Sequence, residues 1–141
     1  MKGQTLIETL IALAVAIMIL SSVVVTVLVS LNNAQFSKNQ NLATQYAQEG
    51  MEVVRGIRNG SWTDFSSKSG DFCLLKSEVT ISPRPIGGSC STIDNVFTRE
   101  VNIVWSVERT TSTVTVKVSW TDSKGRHESK LISYFTREGA Q

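Results

Sequence analysis

Leu10 to Val29 is a run of twenty residues without a charged side chain, relieved only by Ser21, Ser22 and Thr26. At 1.5 Å per residue, a helix of that length spans about 30 Å, the thickness of a bilayer's hydrocarbon core. A core helix of a soluble domain would show a polar face over such a length, and this run has almost none. Glu8 stands just before it. A carboxylate at hydrocarbon depth costs about 2.5–3.5 kcal/mol, so an acid in that place is usually tied to a task.

A cleaved secretory signal is the main competitor for the run, and Ala14-Val15-Ala16 has the form of its cleavage site. Such signals place a basic region before a short apolar core and cleave after that core. Here Glu8 sits where the basic region should continue, and the apolar run extends well past Ala16. Lys2 is the only charge before Glu8, which places the N-terminus on the cytoplasmic side by the positive-inside rule. Within the run, Ser21, Ser22 and the β-branched residues from Val23 to Val27 are poorer helix formers. They mark where the helix would loosen on leaving lipid.

No proline occurs before Pro83, so nothing stops the helix at the membrane surface. From Phe36 onward an apolar stripe persists at three-four spacing: Phe36, Ala43, Tyr46, Gly50, Val53 and Ile57, with Ala47 and Val54 beside it. Lys38, Asn41, Gln45, Gln48, Glu52 and Arg55 occupy the other faces. The pattern predicts one helix from about Leu6 to Arg58, ended by Asn59-Gly60. Asn39 on the seam and the shortness of the second half argue against an independent coiled coil, so this half should pack on the chain's own sheet.

That sheet is written in period-two alternation. Phe97, Val101, Ile103, Trp105 and Val107 alternate with Thr98, Glu100, Asn102, Ser106 and Glu108. Val114, Val116, Val118 and Trp120 alternate with Thr113, Thr115, Lys117 and Ser119. Each pattern predicts an antiparallel strand covered on one side. "ESKLISYFT" supplies a third strand, whose inward face is left open by Leu131, Ile132, Tyr134 and Phe135. The joints are short, and in Asp122-Ser123-Lys124-Gly125 the glycine suits a bulged hairpin. Residues 60–96 read as a long connecting loop rich in Ser, Gly and Pro, with "SEVTIS" as a candidate short strand.

Cys73 and Cys90 lie in the part placed outside the membrane, where an even count points to a disulfide; two free buried thiols are the alternative. A bridge would contribute about 3 kcal/mol by closing this loop. Without a matching His pair, two cysteines make no four-ligand zinc site, and Asp64, Asp71 and Asp94 fit no calcium-loop spacing. The single histidine, His127, has no nucleophile-and-acid arrangement around it, and the phosphate-loop and metalloprotease motifs are absent. No catalytic residue, metal or cofactor is therefore expected, and an enzyme is the class least supported.

A net charge of +2 is too mild to argue for a nucleic-acid binder. Lys124, Arg126, His127 and Lys130 form a small basic cluster, but no aromatic platform accompanies it, so a solvated turn is preferred to a nucleic-acid contact. Trp62 and Phe65 in the long loop could form an adhesive patch; packing into the head is the preferred reading.

The string Gly3-Gln4-Thr5-Leu6-Ile7-Glu8, abutting the apolar run, resembles the N-terminal segment of the type IV pilin superfamily of pilins, minor pilins and type II secretion pseudopilins. The resemblance implies an α+β, pilin-like fold. One long N-terminal helix, its first half transmembrane, would pack on a small antiparallel sheet. Residues 1–3 would be a leader, 4–31 the transmembrane and assembly helix, 32–59 its amphipathic continuation, 60–96 the disulfide-closed loop and 97–141 the meander. A prepilin peptidase would cut between Gly3 and Gln4, and the new amine on Gln4 would be methylated. Gln4 departs from the phenylalanine that is usual there, and many pilins place their disulfide nearer the C-terminus.

Glu8 would then be the assembly residue, pairing with the amine of a neighbouring subunit. The implied partners are other pilin subunits, the peptidase, an inner-membrane assembly platform and lipid. The implied location is the cytoplasmic membrane before assembly, and a pilus or envelope-spanning pseudopilus afterwards. "ATQYAQEGMEVVRGIRN" loosely resembles minor pilins. The alternative is a signal-anchored extracytoplasmic β-domain that binds a ligand without polymerising. It accounts for the helix, the cysteines and the sheet, but not for the Gly3–Glu8 string.

Overall fold

The computed structural model describes residues 2–137, with side chains from residue 6 onward. The chain divides into two units, Met1–Lys38 and Asn39–Gln141. Helix α1 is assigned over Lys2–Gly60 without a break. The fold is α+β, a long N-terminal helix and an antiparallel sheet of six strands.

In the first unit every described residue up to Gln35 is exposed. Ser21, Ser22 and Thr26 lie within the unbroken helix, and their hydroxyls turn back on its backbone. Ser21 Oγ donates to the Ile17 carbonyl, Ser22 Oγ to Ile19 and Thr26 Oγ1 to Ser22, each at 2.8 Å. This pattern satisfies a hydroxyl without water.

In the second unit α1 buries Ala43, Tyr46, Ala47, Gly50, Met51 and Val54, while Asn41, Gln45, Gln48, Glu52 and Arg55 are exposed, as is Lys38 at the end of the first. The stripe is rotated slightly from the expected one. Met51 replaces Val53 at its centre, because the packed face runs through Ala47 and Val54 and leaves Val53 and Ile57 half-buried. Ser61 then caps a short helix, α2 (Trp62–Ser67), by accepting from the Asp64 amide at 3.2 Å.

The strands are β1 (Gly70–Cys73), β2 (Ser82–Pro83), β3 (Thr92–Ile93), β4 (Phe97–Trp105), β5 (Thr111–Asp122) and β6 (Gly125–Thr136). Their order is β2-β1-β4-β5-β6, with β3 also on β4, and every pairing is antiparallel. Strands β4 and β5 thus take the expected alternation, and β6 completes the meander. Gly125 makes the β5–β6 turn at φ 121°.

Several expectations need correction. Residues 60–96 are not only a connecting loop, since they contribute α2 and three strands, and β1 lies beside β4 in the sheet. "SEVTIS" is not a strand; only Ser82 of it joins β2, and Val79 is exposed. Val107 does not face the core, because β4 ends at Trp105 and the next residues form the turn to β5. The open face of β6 resolves as well. Phe135 is buried and Leu131 half-buried on the helix side, whereas Ile132 and Tyr134 face out.

The core is Val101, Ile103, Val114, Val116, Val118 and Trp120 from the sheet against the α1 stripe. Contact is close at Gly50, where a Cβ would lie 3.0 Å from Val116 Cγ1 and 3.1 Å from Arg99 Cδ. A cluster of Trp62, Phe65, Trp105 and Phe135 adds to the head, with ring centroids 5.5–5.9 Å apart. Phe65 is wholly buried and Trp62 half-buried against it and Trp105, so Phe65 packs inward and Trp62 is only partly exposed.

Candidate functional site

Glu8 is the only charged side chain between Lys2 and Lys38. It sits on the exposed first unit of α1, among Leu6, Ile7, Leu10 and Ile11, each at least 60% exposed. Thr9 beside it is satisfied by the Leu6 carbonyl at 2.9 Å. The hydroxyls of Ser21, Ser22 and Thr26 are likewise returned to the backbone. Glu8 has no partner among the described residues. The helix is long and apolar enough to cross a membrane, and none of its apolar window is buried within the chain. It therefore presents an oily surface carrying one unsatisfied carboxylate.

Gly3 and Gln4 belong to the first turn of α1. Their side chains lie outside the described residues, and with them the expected cleavage and methylation positions. Gln4 precedes Glu8 by four residues, which is one helical turn.

In the second unit, Cys73 and Cys90 form a disulfide. It ties the end of β1 to the segment before β3 and closes the loop between them. Arg99 is the residue that sequence reasoning missed. It falls in register with Phe97 and Val101 and points into the core, where its side chain is fully buried. Nε donates to the Leu74 carbonyl at 3.0 Å, Nη1 to the Tyr46 carbonyl at 3.0 Å, and Nη2 to the Leu75 carbonyl. Glu49 Oε2 lies 3.3 Å from Nη1. The guanidinium thus joins α1 to the loop just after Cys73. Burial lowers its pKa, with Glu49 opposing the shift, yet an arginine remains charged. Its position on the apolar parity of β4 was the available signal.

A second polar clamp holds the β3–β4 turn, where Asp94 and Asn95 adopt φ 49° and 58°, a conformation that Asp and Asn tolerate. Tyr46 donates its phenolic proton to Asp94, and Lys76 reaches both Asp94 oxygens at 3.0 Å. The Tyr46 hydrogen bond, and then Lys76, hold the Asp94 carboxyl below its ordinary value. The same bond raises the Tyr46 phenol.

The basic cluster is not one patch. His127 stacks on Trp120 at 5.3 Å, with Nε2 2.9 Å from Asp122, whereas Arg126 and Lys130 alternate with it along β6 and face out. Around Lys130, a groove of about 370 Å³ is lined by charges of both signs. Glu100 there binds Lys117 at 2.6 Å and Arg84 at 3.4 Å. Asp64, Asp71 and Asp94 lie apart and are engaged by Lys68, Asn102 and Lys76 respectively. Among the described residues no group of three His, Cys, Asp or Glu side chains is placed to hold a metal. No protein-family model, curated protein or solved structure matches the chain.

Proposed function

We propose that this chain is a pilin-like structural subunit, cut after Gly3 by a prepilin peptidase, methylated on Gln4 and assembled through its N-terminal helix into a type IV pilus or related filament. The observation that carries this reading is Glu8, a carboxylate without a partner among the described residues, on an apolar helix whose Thr9, Ser21, Ser22 and Thr26 hydroxyls are satisfied by its own backbone. The Gly3–Glu8 string supplies the matching cation, because cleavage before Gln4 would create an ammonium one turn from the acid.

In lipid, helix association gains little from apolar burial, since lipid tails are as apolar as leucine; packing and polar pairing choose the geometry. A carboxylate and an amine that are each costly alone recover much of that cost together. Pairing Glu8 with the amine of a neighbour therefore acts as a register device, since few axial staggers neutralise both groups. The subunit would wait in the cytoplasmic membrane with its N-terminus inside and then exchange lipid for neighbouring helices. The head would face the periplasm or the exterior, where the Cys73–Cys90 bridge persists. Its role is structural, with the assembly platform and other pilin subunits as partners.

The test is Glu8→Gln and Glu8→Ala, followed through membrane fractionation and filament shearing. Both variants should insert in the membrane at wild-type level and be lost from the sheared filament fraction. Incorporation of either variant at wild-type level would remove the assembly role of Glu8.

A further inference from the structure

We infer that the free edge of β6 is a strand-addition site whose occupant is the same strand of a second copy, paired antiparallel about Ser133. Strand β6 ends the sheet order and runs for 12 residues, so one side of its backbone has no partner strand among the described residues. Exposed edges of that length are normally guarded by charge, proline or a bulge. The first half of β6 is guarded by Arg126, Glu128 and Lys130. The second half, Leu131 to Thr136, has no charge and no proline and is rich in β-forming residues.

The same half carries the apolar part of the sheet's outer face. Ile132 is 51% exposed, Tyr134 72% and Val104 54%. The cross-strand register sets Val104 beside Thr113 and Thr113 beside Tyr134, so a row of these three residues runs outward and stops at the open edge.

Charge and parity select the register. Centring the pair on Lys130 would set two lysines face to face, which destabilises a ladder. Centring on Leu131 or Ile132 would press Lys130 against the partner's Ile132 or the partner's Tyr134. Centring on Ser129 would match Lys130 with the partner's Glu128, but would set Arg126 against the partner's Ile132 and leave Tyr134 beyond the pairing. Centring on Ser133 sets Ile132 against the partner's Tyr134 twice over, Leu131 against the partner's Phe135, and no like charges against each other within the overlap of residues 130–136. β-Branched and aromatic residues directly opposite are among the favourable cross-strand pairs. The row Val104–Thr113–Tyr134 then continues into the second copy.

This inference concerns the second unit alone and does not rest on filament assembly. The experiment uses the full chain in membranes, in a Glu8→Gln background, so that helix pairing and strand pairing fail separately. Ile132→Cys and Tyr134→Cys chains are co-expressed and mildly oxidised. Directly opposed residues have Cα atoms about 4.5–5.5 Å apart, within disulfide range, whereas the diagonal 132–132 and 134–134 pairs are too distant. The mixture should give a disulfide-linked dimer, and either chain alone should lose that band, as should Thr63→Cys on exposed α2. A mixture no more cross-linked than Thr63→Cys overturns the pairing, and so does a dominant cross-link to a different protein. An intact Cys73–Cys90 bridge in each variant verifies the fold.

Discussion

Replacing Arg99 by methionine should destabilise the head strongly. Methionine keeps most of the buried volume, so the cost is chiefly electrostatic. Three backbone carbonyls, those of Tyr46, Leu74 and Leu75, lose the donors they share through one guanidinium. A buried acceptor left without a partner costs about 1–3 kcal/mol. Only the Leu74 carbonyl is left without another donor, since the Tyr46 carbonyl keeps its helical bond and the Leu75 carbonyl the Glu78 amide, so with the lost charge-assisted bonds a total of about 2–4 kcal/mol is expected. The ion pair with Glu49 is the smaller contribution, because that carboxylate is 44% exposed and screened by water. Glu49→Gln should therefore cost no more than about 1 kcal/mol.

Urea unfolding of the full chain in detergent, followed by tryptophan fluorescence from Trp62, Trp105 and Trp120, measures both variants. The reasoning fails if Glu49→Gln costs as much as Arg99→Met. It also fails if Arg99→Met stays within about 1 kcal/mol of wild type, the range of an exposed ion pair.

Two glycines of α1 should respond with opposite signs. Gly50→Ala forces a Cβ to 3.0 Å from Val116 Cγ1 and should destabilise by about 1–2 kcal/mol net of helix propensity. Gly56→Ala meets nothing within 4 Å and should stabilise by about 0.5–1 kcal/mol in the same unfolding assay. The Asp94 clamp should be sensitive to acid. A carboxyl whose folded pKa lies below its ordinary 3.8 contributes stability above that value and loses it as pH falls through the lower folded pKa. The stability gap between wild type and Asp94→Asn should thus be full at neutral pH and close below about pH 4, as read from unfolding midpoints across pH.

The parts legible in the sequence are those where a period governs burial. Alternation fixed the inner faces of β4 and β5 from Val101 to Trp120, because each strand is covered on one side only. It left β6 open because an edge strand exposes residues of both parities; even Leu131, on the helix side, is only half-buried. Arg99 escaped because a charge on the apolar parity reads as a break in the pattern, when the carbonyls that satisfy it come from distant parts of the chain. Strand β1 is four residues with little pattern of its own and exists through its pairing with β4. The candidate site was the most legible part. Glu8 and the apolar run are composition at fixed positions and need no tertiary context, whereas under the proposed assembly what meets Glu8 would lie in another molecule.

The most direct measurement is N-terminal mass spectrometry of the protein recovered from the cell envelope. A filament subunit of the kind proposed begins at Gln4 and carries an added methyl group on its amine. A mature chain that still begins at Met1 would contradict the account, leaving Glu8 without its counter-charge and the helix as an anchor for a β-domain.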